Sequence, residues 1–553
     1  MKTARIRNTS RRTESKTDQW AGLNQNALIA DNQFAAMTNA STKNFPILSP
    51  RPSRTAVVTL DGVGWALYAA PTVVCWVDGT SFKYNGTTEG TVTASLKSMA
   101  ELNGKIAIFP DKKTYDYVDD EFAVMIGQLQ IQKAGYDTNG VYDFSVDETK
   151  ICNKNIVQIL PSTSYTLVND KSYTVASVYY FDANVEFIST AAVNFSAFTT
   201  PATAYYMNLD ITGTDVSAEV SITNGVYPTE SAIPALDYIA ELNNRMWGVK
   251  GDRIYSTALG DINDWTRYSV PTTLTTDSWT VDTGSAGDFT GLARYNNTMY
   301  AFKKHSMWKL FGSDSTNFEF VRISGIGCIS AKTIKEVNGK LYFLGSKGIY
   351  SFDAGYPQLI SRDLNETYTS GTAGGDNRRY YISLYNSATY SLYVYDTETK
   401  IWMREDASQI TEFIYQYSAA VPNGYIIALN ASDNKLYYYD IGSETVTMEL
   451  TTKEWTNDTF NRKGTNRIHI LADLETGTTM NILVKINNGA WSTVKSAYGT
   501  AELNHLVVPI SVSRANHFQI GLVMVGEGKI YSLEREMYVG SKVGTSSSTP
   551  AVE

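Results

Sequence analysis

Apolar and polar positions along this chain alternate in short runs rather than in helical stripes. The stretch Asp237–Tyr268, DYIAELNNRMWGVKGDRIYSTALGDINDWTRY, displays the pattern most clearly. One apolar run ends in Asn243-Asn244, a second spans Arg245–Val249, and the turn Lys250-Gly251-Asp252 follows. A third run covers Arg253–Thr257 before a polar loop closes on Trp265. Runs this short, bounded by Gly, Asn and Asp, predict a small antiparallel meander.

The frame recurs. Leu102-Asn103-Gly104-Lys105, Tyr295-Asn296-Asn297-Thr298 and Val337-Asn338-Gly339-Lys340 align on Leu242-Asn243-Asn244-Arg245. Looser versions start near Asp61-Gly62, Asp376-Asn377 and Asn423-Gly424. A second turn and an aromatic-rich strand follow each copy: Gly79–Tyr84, Lys112–Tyr117, Arg253–Ser256, Ser306–Leu310, Gly348–Phe352, Lys400–Met403 and Lys435–Tyr439. Where nothing intervenes the spacing is about 38 to 53 residues, the period of four-stranded propeller blades. Such a unit cannot bury both faces of its sheet alone, so it must stack on neighbours around an axis. About seven blades are expected, and the looser copies leave six or eight open.

One interval breaks the period: 140 residues separate Asn103 from Asn243. The surplus reads as a β-sandwich inserted in a loop, with alternating strands such as Ser164–Val168, Tyr173–Phe181 and Tyr205–Ile211. Loops accept such insertions at small entropic cost. After Leu450 the alternation of Ile482, Val484 and Ile486, and the strands Leu506–Val512, Phe518–Val523 and Lys529–Leu533, predict a second sandwich. At the other end, Gly22–Met37 has room for one short helix with Leu23, Leu28, Phe34 and Met37 as apolar positions. Three prolines between Pro46 and Pro52 then require an extended connector. The expected protein is all-β: an extended N-terminal arm (1–54), a β-propeller (55–134 and 229–450), an inserted β-sandwich (135–228), a C-terminal β-sandwich (451–540) and a flexible tail (541–553).

Composition agrees with that class. The chain of 553 residues is too long for a single core and is rich in Tyr (37 residues), a strand-favouring residue. It has no apolar run of membrane-spanning length and no apolar signal-peptide core at its start. The net charge of −9 is uneven. Residues 1–16 hold Lys2, Arg5, Arg7, Arg11, Arg12 and Lys16 against Glu14, a balance of +5 that leaves −14 for the remainder. A basic arm on an acidic body suits contact with an acidic partner, protein or nucleic acid, as well as plain solvation. Arg5, Arg7, Arg11, Arg12, Trp20 and Arg51 are the candidate arm contacts.

Candidate chemistry is sparse. Cys75, Cys152 and Cys328 are isolated and odd in number, which fits buried small hydrophobes better than a disulfide framework or zinc site. None of His305, His469, His505 and His517 lies in a metalloprotease or nucleophile-elbow motif. Glycosidases need a carboxylate pair. Asp119-Asp120-Glu121 and Glu405-Asp406 are only adjacent acids, which point to opposite faces on a strand and read as solvated loop charges. Gly325-Ile326-Gly327 and Gly526-Glu527-Gly528 precede no phosphate-loop Lys or helix and read as turns. No catalytic residue, metal or cofactor is expected. On the inserted sandwich, Tyr165, Tyr179, Tyr180 and Tyr205 are candidates for stacking on a glycan, against the commoner role of half-buried strand tyrosines.

Several short motifs resemble those of tailed-bacteriophage virion proteins of the packaged-DNA stabilisation, tail-hub or nozzle type. They are Arg5-Ile6-Arg7-Asn8-Thr9-Ser10-Arg11-Arg12, Gly22-Leu23-Asn24-Gln25-Asn26 and Leu48-Ser49-Pro50-Arg51 in the arm, and Asn244-Arg245-Met246-Trp247-Gly248-Val249 in a blade. Arg514-Ala515-Asn516-His517-Phe518 and Tyr531-Ser532-Leu533-Glu534-Arg535-Glu536 resemble the C-terminal module. The insertion departs from a minimal hub and, at Phe198-Thr199-Thr200-Pro201-Ala202, looks like small sandwich modules of tail fibres. The resemblance implies a non-enzymatic virion protein of the neck or tail, assembled in the host bacterial cytoplasm. Copies of it, six in the expected case, would form a ring that docks on the portal, an adaptor or other neck and tail proteins. Double-stranded DNA would pass its lumen without sequence specificity. The alternative is a receptor- or glycan-binding virion surface protein that uses the inserted sandwich.

Overall fold

The Asn-containing pairs are hairpin turns because both of their residues adopt left-handed backbone. In a computed structural model, Asn103 and Gly104 have φ of 53° and 82°, Asn243 and Asn244 54° and 57°, Asn296 and Asn297 47° and 52°, and Asn338 and Gly339 48° and 70°. Two consecutive left-handed residues twist the chain as the flanking strands require, and Asn and Gly tolerate that region best. The structure describes residues 11–539 apart from 72, 126–127, 130, 134, 144–148, 154–155, 160, 170, 216–219, 225–226, 229–232, 266–272, 419–420, 457–460 and 501.

Among the described residues, seven four-stranded antiparallel sheets follow the meander plan. Their first strands are Gly64–Ala69, Ser98–Leu102, Tyr238–Leu242, Phe289–Tyr295, Lys335–Val337, Ser370–Gly375 and Ile410–Ser418, which we number blades 1 to 7. Each sheet shares a core with the next. Phe82 meets Tyr115 between blades 1 and 2, and Phe109 meets Trp265 between blades 2 and 3. Trp247 meets Phe320, Phe302 meets Phe343, Tyr342 meets Tyr380, and Tyr381 meets Phe413 across the following four boundaries. Ile427 and Leu429 then pack with Leu67 and Trp76, which returns the circuit to blade 1. The fold is therefore a β-propeller. Blade 7 takes its fourth strand, Arg54–Thr59, from the start of the chain.

Two of the looser repeats are out of register. Asp61-Gly62 links the closing strand to blade 1, and Asn423-Gly424 lies inside the strand Val421–Asn430. Lys400–Met403 overlaps the fourth strand of blade 6, Ile401–Arg404, rather than its third. Without a left-handed Asn pair at the turn, the composition of a strand alone does not tell which strand it is.

The N-terminal segment is not a free arm. Arg11–Thr17 pairs antiparallel with Gly528–Val539, and Phe34–Thr38 with Thr447–Thr452, so each supplies an edge strand to one sheet of the C-terminal sandwich. The two sandwich sheets enclose Ile470, Ile482, Val508, Ile520 and Leu533. No helix forms over Gly22–Met37. Gly22 adopts φ of +74°, and a Cβ there would fall 2.1 Å from Ile401 Cγ2, so only glycine lets the backbone meet blade 6. Leu28, an expected core position, is 93% exposed.

The insertion joins the last strand of blade 2, Glu121–Val124, to blade 3, so no blade ladder is interrupted. It begins by Gln128, ahead of the expected residue 135. One sheet contains Ser164–Asn169 and Val220–Asn224, the other Val175–Phe181 and Tyr206–Thr212. Between them lie Leu167, Val178, Met207, Leu209 and Ile222. The expected tail, 541–553, lies outside the described residues.

Candidate functional site

The propeller axis is the first place to look, because the first strand of every blade faces it. A cavity of about 810 Å³ there is lined from all seven blades, including Tyr68, Met99, Tyr238, Leu292, Lys335, Gly375 and Phe413. A space of this size suits a small ligand rather than a nucleic-acid duplex. Its charges are largely matched. Lys332 Nζ lies 2.5 Å from Glu412 Oε1 and donates to the Thr411 carbonyl at 3.1 Å. Lys97, whose side chain has no exposure, pairs with Asp111 and donates to Thr93 and Ser95 Oγ at 2.8 Å each. Burial pushes the Lys335 ammonium below its ordinary pKa, against the pull of Glu412 and with the repulsion of Lys332. Glu412 is thus committed to the Lys332 ammonium and lies near that of Lys335.

The adjacent acids resolve differently. Asp119-Asp120 is an exposed turn that leads into the exposed start of the strand at Glu121, and the Tyr115 hydroxyl donates to Asp120 Oδ1 at 2.8 Å. Glu405-Asp406, expected as solvated charges, is instead clamped on the Arg54 guanidinium: Arg54 Nη2 pairs with Glu405, and Nη1 donates to Asp406 Oδ2 at 2.7 Å. Glu405 and Asp406 follow the strand Ile401–Arg404 in irregular backbone, so strand alternation does not separate them. The Tyr439 ring lies 4.3 Å beneath the guanidinium. Burial raises the Glu405 pKa despite Arg54, whereas for Asp406 the charge of Arg54 and the Ser408 hydrogen bonds outweigh burial and hold it low.

Of the candidate arm contacts, Arg5 and Arg7 lie outside the described residues, and only the backbone of Arg11 and Arg12, in the edge strand, is described. Trp20 and Arg51 are committed within the chain. Trp20 is buried and stacks on Phe34 with centroids 5.2 Å apart. Arg51 donates to Asn39 Oδ1 at 2.8 Å and to Glu444 Oε1 at 2.6 Å. Both make these contacts inside the chain. The tyrosine set on the insertion also separates: Tyr165, Tyr179 and Tyr180 are buried, and Tyr179 donates to Asp210 Oδ2 at 3.0 Å, leaving Tyr205 exposed. Strand alternation assigns a residue to one of two faces, and three of these four face the sandwich core or its buried polar margin.

All three cysteines are buried and unpaired by disulfide, and burial pushes the Cys75 thiol up to about 12 and Cys328 up to about 11. Among the described residues no group of three or more His, Cys, Asp or Glu is arranged to hold a metal ion. Arg245, in the most regular repeat, is 2% exposed and donates to the carbonyls of Thr257, Asp277 and Thr275 at 2.5–2.6 Å, tying down the loop of blade 3. The ion pairs Lys97–Asp111, Lys332–Glu412 and Arg54–Glu405 escaped the sequence reading. Partners up to 351 residues apart leave no local spacing signal.

No protein-family model matches the chain, and no curated protein matches it significantly. Solved structures resemble it weakly. Phanerochaete chrysosporium exo-β-1,3-galactanase with galactose shares 10% identity over 74% of this chain and 100% of its own, with a TM-score of 0.21. Kluyveromyces lactis Hsv2 shares 8% over 63% of this chain and 98% of its own, at 0.25. PorZ of Porphyromonas gingivalis shares 10% over 81% of this chain and 72% of its own, at 0.27. Likenesses this low transfer nothing about activity.

Proposed function

We propose that this chain is a non-enzymatic structural protein of a tailed-phage particle. Copies of it assemble side by side into an oligomeric ring of the neck or tail that connects to the portal or an adaptor and retains or passes packaged DNA. The observation that carries the scaffold reading is how the buried acids are used. Glu405 and Asp406 hold Arg54, Asp111 holds Lys97, Glu412 holds Lys332, and Asp396 accepts from Arg378 and from Thr42 at 2.7 Å. Three of these carboxylates bind the N-terminal segment across blade 6, so their charge is spent on fastening modules together.

The ring reading is supported by the resemblance and by the uneven charge, with six cationic residues in 1–16 on an acidic remainder. The axial cavity is too small for a duplex, so any DNA path belongs to a lumen between copies, whose acidic walls would let DNA slide. Size-exclusion chromatography with light scattering, followed by negative-stain imaging, tests the proposal. Closed rings are expected, alone or on addition of portal–adaptor complexes, and a strict monomer under both conditions would refute it.

A further inference from the structure

A second cavity, of about 630 Å³, opens between blades 6 and 7 where the N-terminal segment crosses them. Its walls combine aromatic faces with paired charges. Tyr381 and Tyr439 form the buried side, and Tyr415 and Tyr425 the half-exposed side. Gly424 makes this shape possible: it adopts φ of +67°, and a Cβ there would lie 2.6 Å from the Tyr415 ring. Arg379 bridges Asp376 and Asp440, with Nη2 at 2.7 and 2.5 Å from their Oδ2 atoms. Arg378 is held by Asp396 at 2.7 Å.

One buried polar group of this lining has no partner among the described residues. The Tyr439 hydroxyl is buried without a hydrogen bond, on a residue only 3% exposed. A hydroxyl buried unpaired is destabilising unless water or a ligand meets it. Asn377 and Lys43, both exposed, and Asp440, which also holds Arg379, add further polar groups to the lining. These groups offer donors and acceptors together, whereas the arginines are already neutralised by carboxylates. An anion entering here would meet Asp376 and Asp440. A neutral polyol would meet tyrosine faces for its C–H surfaces and both kinds of hydrogen-bonding group for its hydroxyls, the mixture that small-ligand pockets of this size use.

We infer that the cavity between blades 6 and 7 is a binding site for a neutral saccharide of one to two rings. It is independent of the ring proposal and separate from the tyrosines of the insertion. The test is saturation-transfer NMR of the full chain against maltose, cellobiose, lactose and N,N′-diacetylchitobiose, with inorganic phosphate as the anionic probe. At least one sugar is expected to bind with a Kd that rises tenfold or more in Asn377→Ala and in Tyr425→Ala, each of which changes a side chain that is not fully buried. Tyr205→Ala should leave it unchanged. Circular dichroism and melting of each variant separate loss of the site from loss of the fold. Binding of phosphate alone, binding that survives both cavity variants in folded protein, or no binding to any of the four sugars would each overturn the inference.

Discussion

Arg54 shows what a single residue contributes here. Its side chain is 8% exposed, its guanidinium pairs with Glu405 and Asp406 while resting on Tyr439, and the residue begins the strand that closes the propeller. Replacing it by Met leaves Glu405 buried without its cation. Removing one partner of a buried pair costs about 3–5 kcal/mol. Arg54→Met should therefore lower the urea midpoint markedly, and adding Glu405→Gln should recover part of the loss; equal stability of R54M and wild type would dismiss the clamp. The same residues predict a response to acid. Asp31 is held below the usual carboxylate range because Lys453 and Arg535 outweigh its burial, and Asp396 because Arg378, Thr399 and Thr42 do. Asp406 is lowered through Arg54. A depressed folded pKa supplies stability above the unfolded value that is lost as pH falls through it, below about 4. Glu405, raised by burial, has the opposite sign and offsets part of this. The urea midpoint should fall between pH 6 and pH 3, and a flat profile would remove these carboxylates as fasteners of the N-terminal segment.

At the scale of elements, the N-terminal strands do separable jobs. Arg11–Thr17 covers the edge of Gly528–Val539 with seven cross-strand pairs, whereas Arg54–Thr59 completes blade 7. Deleting residues 1–17 should leave the propeller folded but expose a sandwich edge, an invitation to strand-on-strand association. Deleting 1–59 should prevent ring closure and yield insoluble protein. Soluble expression with native melting from both truncations would show that the closing strand is dispensable. The hairpins of blades 2 to 5 were legible beforehand because their Asn pairs demand left-handed backbone, a local requirement. The edge strands were not, because RRTESKT carries no apolar face and takes its strand conformation from its partner.

The whole molecule is three β modules, of which the N-terminal segment stitches the propeller to the C-terminal sandwich. The insertion leaves the chain after blade 2 and returns before blade 3, with its own core of Leu167, Val178, Met207 and Leu209. Replacing residues 127–232 by a short Gly/Ser linker should leave the propeller and C-terminal sandwich melting within a few degrees of the full chain, measured by calorimetry. A collapse in melting temperature would mean that the insertion braces blades 2 and 3. The sequence by itself determined the all-β class, the repeating meander and the existence of two further β modules. These follow from strand-length apolar runs and turn residues, which act over a few positions. Only the tertiary structure decided that the supposed arm is woven into sandwich and propeller, that Trp20 and Arg51 are interior fasteners, and that Glu405 and Asp406 share one guanidinium. Those outcomes depend on which distant groups meet, and burial and charge pairing are settled by the packed chain as a whole.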